Sequence, residues 1–270
     1  MRRVTGCVSS LRCTAAGLGL LLATAAAHAD YVVPPGAAFG LGGGSMDLGC
    51  TDVIIDGAFD LEGGTLTNVR HVQIGAAGSL TLGSGAVSLA GNWNNGGTLN
   101  AGTGSVSLID NAACAAGSVV SGNSSFYALS ITSTTGKLVQ FAAGSTQTVQ
   151  SALTLTGAAG SPLRIESTTP GSISADINLL TGGTQNLANL AVRGMSASGQ
   201  WLAAGQTNQG AGPVSRWFGT PTPPTLPGGV APIPTTSQWT LMGMALALAA
   251  LAARQRRTRT TQTPTGRKSS

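Results

Sequence analysis

Between about residue 31 and residue 219 apolar and polar residues alternate over runs of four or five positions, and Gly, Ser, Asn and Thr separate the runs. Asp52-Val-Ile-Ile-Asp56, His71-Val-Gln-Ile74, Ser79-Leu-Thr-Leu82, Ala86-Val-Ser-Leu89 and Ser105-Val-Ser-Leu-Ile109 follow this pattern. So do Tyr127-Ala-Leu-Ser-Ile131, Ala152-Leu-Thr-Leu155 and Asp176-Ile-Asn-Leu-Leu180. A period of two places one set of side chains on a buried face and the other in water, which is the signature of strands. The Gly-Ser and Gly-Thr pairs between runs are turn chemistry, and no helical period runs through the region.

One segment recurs. Gly78-Ser-Leu-Thr-Leu-Gly-Ser-Gly-Ala-Val-Ser-Leu89 aligns with Gly97-Thr-Leu-Asn-Ala-Gly-Thr-Gly-Ser-Val-Ser-Leu108 at an offset of 19 residues. Two short strands in a period near 20 suit a coil whose inward Leu and Val stack on the coil below. An aromatic content of 4% and 40 glycines favour a narrow solenoid core over the larger side chains a sandwich places between its sheets. The pattern therefore predicts an all-β domain over 30–219, a right-handed parallel β-helix or solenoid. A β-sandwich is the alternative, because strands of this length at this spacing also build one.

Both ends of the chain have a different character. Arg2, Arg3 and Arg12 precede the apolar run Ala15 to Ala27, and Ala27 and Ala29 place small residues at the two positions a signal peptidase reads. Residues 1–29 are expected to be a signal peptide cut after Ala29, leaving Asp30 first. Arg2-Arg3 is followed by Val-Thr-Gly, not by bulky apolar residues, which favours the general secretory route. Val4-Thr5-Gly6-Cys7 precedes the hydrophobic stretch, whereas a lipidation box ends one. After Gly219 the proline-rich segment 220–232 predicts an extended linker without regular hydrogen bonding. From Trp239 to Ala253 there is no charge, and a helix of that length spans roughly 22 Å, short against a hydrocarbon core of roughly 30 Å. Trp239 fits one interface, while Arg254, Arg256 and Arg257 hold the other end in the cytoplasm. A permanent single-pass anchor or a buried core helix are the other readings of this span. Residues 258–270 form a polar, basic tail, expected to be disordered.

The order of features at the C-terminus is specific. Pro-Ile-Pro-Thr-Thr-Ser-Gln-Trp (Pro232 to Trp239), then the apolar span, then Arg254-Gln-Arg-Arg257, resembles the IPTL-CTERM sorting domain of Gram-negative bacteria. Ile233, Pro234, Thr235, Ser237 and Trp239 match the family's motif, while Thr236 stands where Leu is usual and Thr240 where a small residue is common. The resemblance covers only residues 232 to about 257, with the sorting signal at 233–257, and implies processing by an exosortase-like enzyme after transit through the inner membrane. Gly91-Asn-Trp-Asn-Asn-Gly-Gly and similar runs in the body also resemble adhesin-like exported proteins.

Charge then has to be read by segment. The 14 basic residues fall mostly in the leader and the tail, leaving Arg70, Lys137, Arg164, Arg193 and Arg216 in the body against all nine acidic residues. Such a mildly acidic body lacks the basic face that nucleic acid requires. Of four cysteines two leave with the leader, and Cys50 and Cys114 are expected to pair in an oxidising compartment. Two separate buried thiols are the alternative. These two cysteines and one histidine, far apart in sequence, lack metal-ligand spacing.

Catalytic groups are sparse. The body's only histidine is His71, read as a solvent-facing strand residue, so a Ser-His-Asp set would rest on it alone. Asp47, Asp52, Asp56, Asp60 and Glu62 form an acidic run with three readings: a solvated edge, a Ca²⁺ site, or a lyase-like cluster. The glycines punctuate turns and do not open a strand-to-helix phosphate loop, so no cofactor is expected. The resulting expectation is a non-enzymatic structural or adhesin-like protein of the cell surface or extracellular matrix. Its processing partners are signal peptidase and the exosortase-like enzyme, with exopolysaccharide or other envelope components as ligands. A carbohydrate-active β-helix enzyme or carbohydrate-binding module is the alternative.

Overall fold

Three short strands per coil, joined by tight glycine corners, wind the body into a parallel β-solenoid of about 9 turns. The computed structural model describes residues 29–220 and Leu246. The first face stacks Tyr31–Val33 on residues 53–55, then 72–74, Trp93–Asn95, Gly117–Ser121, Leu138–Phe141, Leu163–Ser167 and Leu190–Arg193. The second stacks Ala38–Gly40, Ala58–Asp60, Ser79–Thr81 and Thr98–Asn100 as a separate four-stranded sheet. Residues 124–126, then 146–149, Ala175–Leu179, Met195–Ser196 and Val214–Ser215, continue on that side. The third face carries residues 45–47, 65–67, Ala86–Leu89, Ser105–Leu108, 128–132, 152–156 and Thr184–Ala188. A sandwich is ruled out, since every strand pair is parallel and successive strands pair one coil apart.

Inward positions form ladders of like residues. Leu66, Val87, Val106, Leu129 and Leu153 stack on the third face, beside Val69, Leu89, Leu108, Ile131 and Leu155. On the first face Val53, Val72, Trp93, Val120 and Phe141 form one column. All of these are buried. The expected repeat is literally stacked: Ser79 lies in register with Thr98, and Ala86 with Ser105.

The corner between the second and third faces explains its glycines. Gly42, Gly83 and Gly102 occupy equivalent places at φ +64°, +61° and +54°, a region that costs an L side chain, and Glu62 adopts it between them at φ +50°. The next glycine of each corner lies against the coil before it, so that a Cβ on Gly85 would strike the Gly64 carbonyl and one on Gly104 the Gly85 carbonyl. The corner between the third and first faces is looser. Ser45–Ile55 and Thr65–Ile74 each run through it as one bent strand, and their registers slip there. After the fourth coil this corner expands into residues 109–116.

The signal peptide with its Ala27 site, the sorting motif Ile233, Pro234, Thr235, Ser237 and Trp239, the basic anchor Arg254, Arg256 and Arg257, and the tail lie outside the described residues. Within the expected span only Leu246 is described, and it is helical. Among the described residues no helix is long and apolar enough to cross a membrane.

Candidate functional site

Two columns of outward side chains on the first face define a concave surface of the solenoid. Register places Asp52, His71, Asn92 and Val119 in one column and Ile54, Gln73, Asn94 and Ser121 in the next. Together they line a groove of about 370 Å³ running along the solenoid axis. Adjacent rungs are about 4.8 Å apart. Strand alternation points these residues outward, because Val53, Val72, Trp93 and Val120 between them face the core.

Most of the groove's polar groups are tied to the next rung. The His71 Nδ1 accepts the backbone N–H of Asn92 at 2.7 Å, and the Asn92 side-chain carbonyl accepts the N–H of Val119 at 2.9 Å. Ser121 donates its hydroxyl to the Asn94 carboxamide oxygen at 3.1 Å. At one end Asp52 receives a two-pronged bond from Arg70, Nε to Oδ1 at 2.6 Å and Nη2 to Oδ2 at 2.8 Å. Arg70 also approaches Asp30 at 3.7 Å. The bond to Asp52 and its charge, aided by Asp30, raise the guanidinium's pKa, so it stays charged.

This geometry adds to the expectation for His71. The imidazole faces outward as expected, but it is half-buried and works as a rung-to-rung acceptor. Its rung neighbour Asp52 is held by Arg70, and Ser121 lies two rungs away, about 10 Å, beyond direct proton transfer.

The acidic run does not gather. Asp47 lies on the third face, Asp52 enters the first, Asp56 ends the first, Asp60 lies on the second and Glu62 at the next corner. The Gly49 N–H, then Asn68, hold the Asp47 carboxyl below its ordinary range. Asp60 caps the N–H of Glu62 at 2.8 Å. Among the described residues no three His, Cys, Asp or Glu side chains converge as metal ligands.

The third-to-first corner holds two further features, of which only the second escaped the sequence pattern. Cys50 and Cys114 form a disulfide, as expected, with Cα atoms 5.1 Å apart. Cys114 belongs to the expanded corner after the fourth coil and Cys50 to the corner of the first, so residues 109–116 fold back over three rungs, about 14 Å. Beneath them lies Lys137, 3% exposed, whose ammonium donates to the carbonyls of Ala90 and Ile109. Burial pushes its pKa down, and the Asp110 carboxylate partly offsets that. Burial likewise raises Asp110, but bonds from Ser133, Thr134 and Thr135 outweigh it and leave the carboxyl below its ordinary range. Both charged groups brace the corner, and neither lines the groove. Compared with known proteins, the chain matches no protein family, no curated protein and no solved structure.

Proposed function

We propose that this chain is an exported, non-catalytic β-solenoid of the bacterial envelope, a structural or adhesin-like module that contacts neutral polysaccharide through the first-face groove. The observation that carries the reading is the groove's chemistry: Gln73, Asn92, Asn94 and Ser121 repeat along the axis, and its one carboxylate, Asp52, is neutralised by Arg70. Amides and hydroxyls exchange hydrogen bonds with sugar hydroxyls, and Ile54 and Val119 supply apolar surface. The coil winds right-handed on this reading, as parallel crossovers nearly always do. The leader would deliver the chain by the general secretory route, and 239–253 would hold it in the inner membrane until an exosortase-like enzyme acts at Ile233–Trp239. The product then passes to the cell surface or matrix.

Mass spectrometry of the mature protein from its native host tests the route. The N-terminus is expected at Asp30, with the segment after about Trp239 missing. Pro234→Ala or Trp239→Ala is expected to retain the precursor in the inner membrane. Intact peptides from 258–270 in most of the surface pool would replace processing with a permanent anchor.

An enzymatic alternative stands on the acidic residues and is tested separately. The mature protein is expected to release no unsaturated or reducing sugar from polysaccharides, with or without Ca²⁺. Activity that disappears in the Asp52→Asn, Asp56→Asn, Asp60→Asn triple variant would overturn the non-catalytic reading. Deleting the gene is expected to change aggregation or attachment and to leave growth on simple nutrients intact.

A further inference from the structure

The two ends of the solenoid are finished differently. At the C-terminal end Leu202 bridges to Trp217, which is buried, and Phe218 packs beside it with ring centroids 5.9 Å apart. Among the described residues the N-terminal end is open. Phe39 is 38% exposed, whereas Phe59, in register one coil on, is 1% exposed. Tyr31, Leu41, Met46 and Leu48 are likewise only partly covered, and Tyr31 and Phe39 meet edge to face at 5.6 Å. Among the described residues Tyr31–Val33, Ala38–Gly40 and residues 45–47 each have one strand partner, so one edge of each presents backbone N–H and C=O groups with no partner there. None of the three contains a proline or a lysine, the usual means of blunting a sheet edge.

From this we infer that two mature copies of the chain stack head to head through their first coils. Three edges on three sides of one triangle must be met together. A single strand or hairpin meets one of them, whereas a second first coil supplies all three around a matching apolar centre. The other end of a second copy does not serve, because Trp217 and Phe218 close it. A two-fold axis perpendicular to the solenoid pairs one face with itself and exchanges the other two, so strands meet antiparallel across the junction, a stable pairing. Residues 30–52 match the roughly 20–30 residues a side of a standard interface. The carboxylates of the first coil lie at the rim, where Asp30 and Asp52 share the single positive charge of Arg70 and Asp47 accepts bonds from Gly49 and Asn68. The inference rests on the export reading in one respect, that cleavage after Ala29 starts the chain at this edge.

Sedimentation of the mature protein across a concentration series, with its N-terminus read by mass spectrometry, tests the junction. A dimer is expected for the native chain, and Phe39→Lys is expected to raise its Kd by roughly thirtyfold or more, the scale of one central interface residue. Leu180→Lys, at an equally exposed apolar residue away from the end, is expected to leave the dimer intact. Ala38→Pro removes an edge donor without touching the core and is expected to weaken the dimer as well. A monomer that begins at Asp30 overturns the stacking and leaves export standing, and a monomer that retains the leader overturns both. A dimer that retains the leader and is weakened by Phe39→Lys supports the stacking and overturns cleavage. Dimers indifferent to Phe39→Lys and Ala38→Pro place the contact elsewhere and overturn the inference.

Discussion

Replacing Cys50 with Ser is expected to lower the melting temperature of the solenoid by about 10 °C. The bridge closes a loop with a sequence separation of 64, for which chain entropy gives about 4 kcal/mol, and a domain of this size moves by roughly 2–4 °C per kcal/mol. Its position adds to its weight. In a stack of coils each unit contacts only its neighbours, so the ends open first. The disulfide joins the first corner to the fourth, and its loss is expected to raise amide exchange in residues 31–60 well above that in residues 146–193. Cys114→Ser and the double variant are expected to match Cys50→Ser, because each removes the same bond. A native melting temperature in any of the three would end this account of the bridge.

Trp93→Ala is expected to cost about 3–5 kcal/mol, the range for deleting a fully buried aromatic side chain. Trp93 is 0% exposed, packs on Phe126 at a centroid distance of 5.3 Å and donates its indole N–H to the Ser124 hydroxyl at 2.9 Å. Ser124 also receives the Asn95 amide at 3.1 Å, so the indole helps fix the step between the fourth and fifth coils. Trp93→Phe keeps much of the packing and loses the hydrogen bond, and the expected cost falls to about 1–2 kcal/mol. Equal losses in urea melts of the two variants would mean that the hydrogen bond, not the volume, dominates at this position.

The strands were legible because one buried face imposes a period of two whatever the sheet does next. Each alternating run named from the sequence overlaps a strand, from residues 52–56 in Ser45–Ile55 to residues 176–180 in Ala175–Leu179. The stacking was legible once, where 78–89 repeats as 97–108. An earlier pair carried the same signal: Ala38-Phe-Gly-Leu-Gly-Gly-Gly44 lies in register with Ala58-Phe-Asp-Leu-Glu-Gly-Gly64. It was missed because Gly40 faces Asp60 and Gly42 faces Glu62, outward or corner positions that stacking leaves free to vary. Beyond Leu108 the repeat fades because corners accept insertions, as in residues 109–116 and 168–174, without disturbing the ladders.

The groove was not legible, and register is the reason. Asp52, His71, Asn92 and Val119 become neighbours only when four coils of unequal length are aligned, and nothing local joins them. The acidic run misled in the opposite sense. Carboxylates two to five residues apart look clustered in a list, but in a coil of about 20 residues that spacing distributes them over three faces.

Under tension the bridge between Cys50 and Cys114 sets how far the chain can lengthen. A solenoid pulled by its ends peels coil by coil, each surrendering its contour as the next becomes the edge. The bridge withholds the segment between the two cysteines, about 220 Å of extended chain. A force–extension trace of the oxidised protein is therefore shorter by that length than the reduced one. At a surface under shear, such a module would yield in its outer coils and keep the stretch between the two cysteines, with Asp52, His71, Asn92 and Asn94 of the groove, out of the extension.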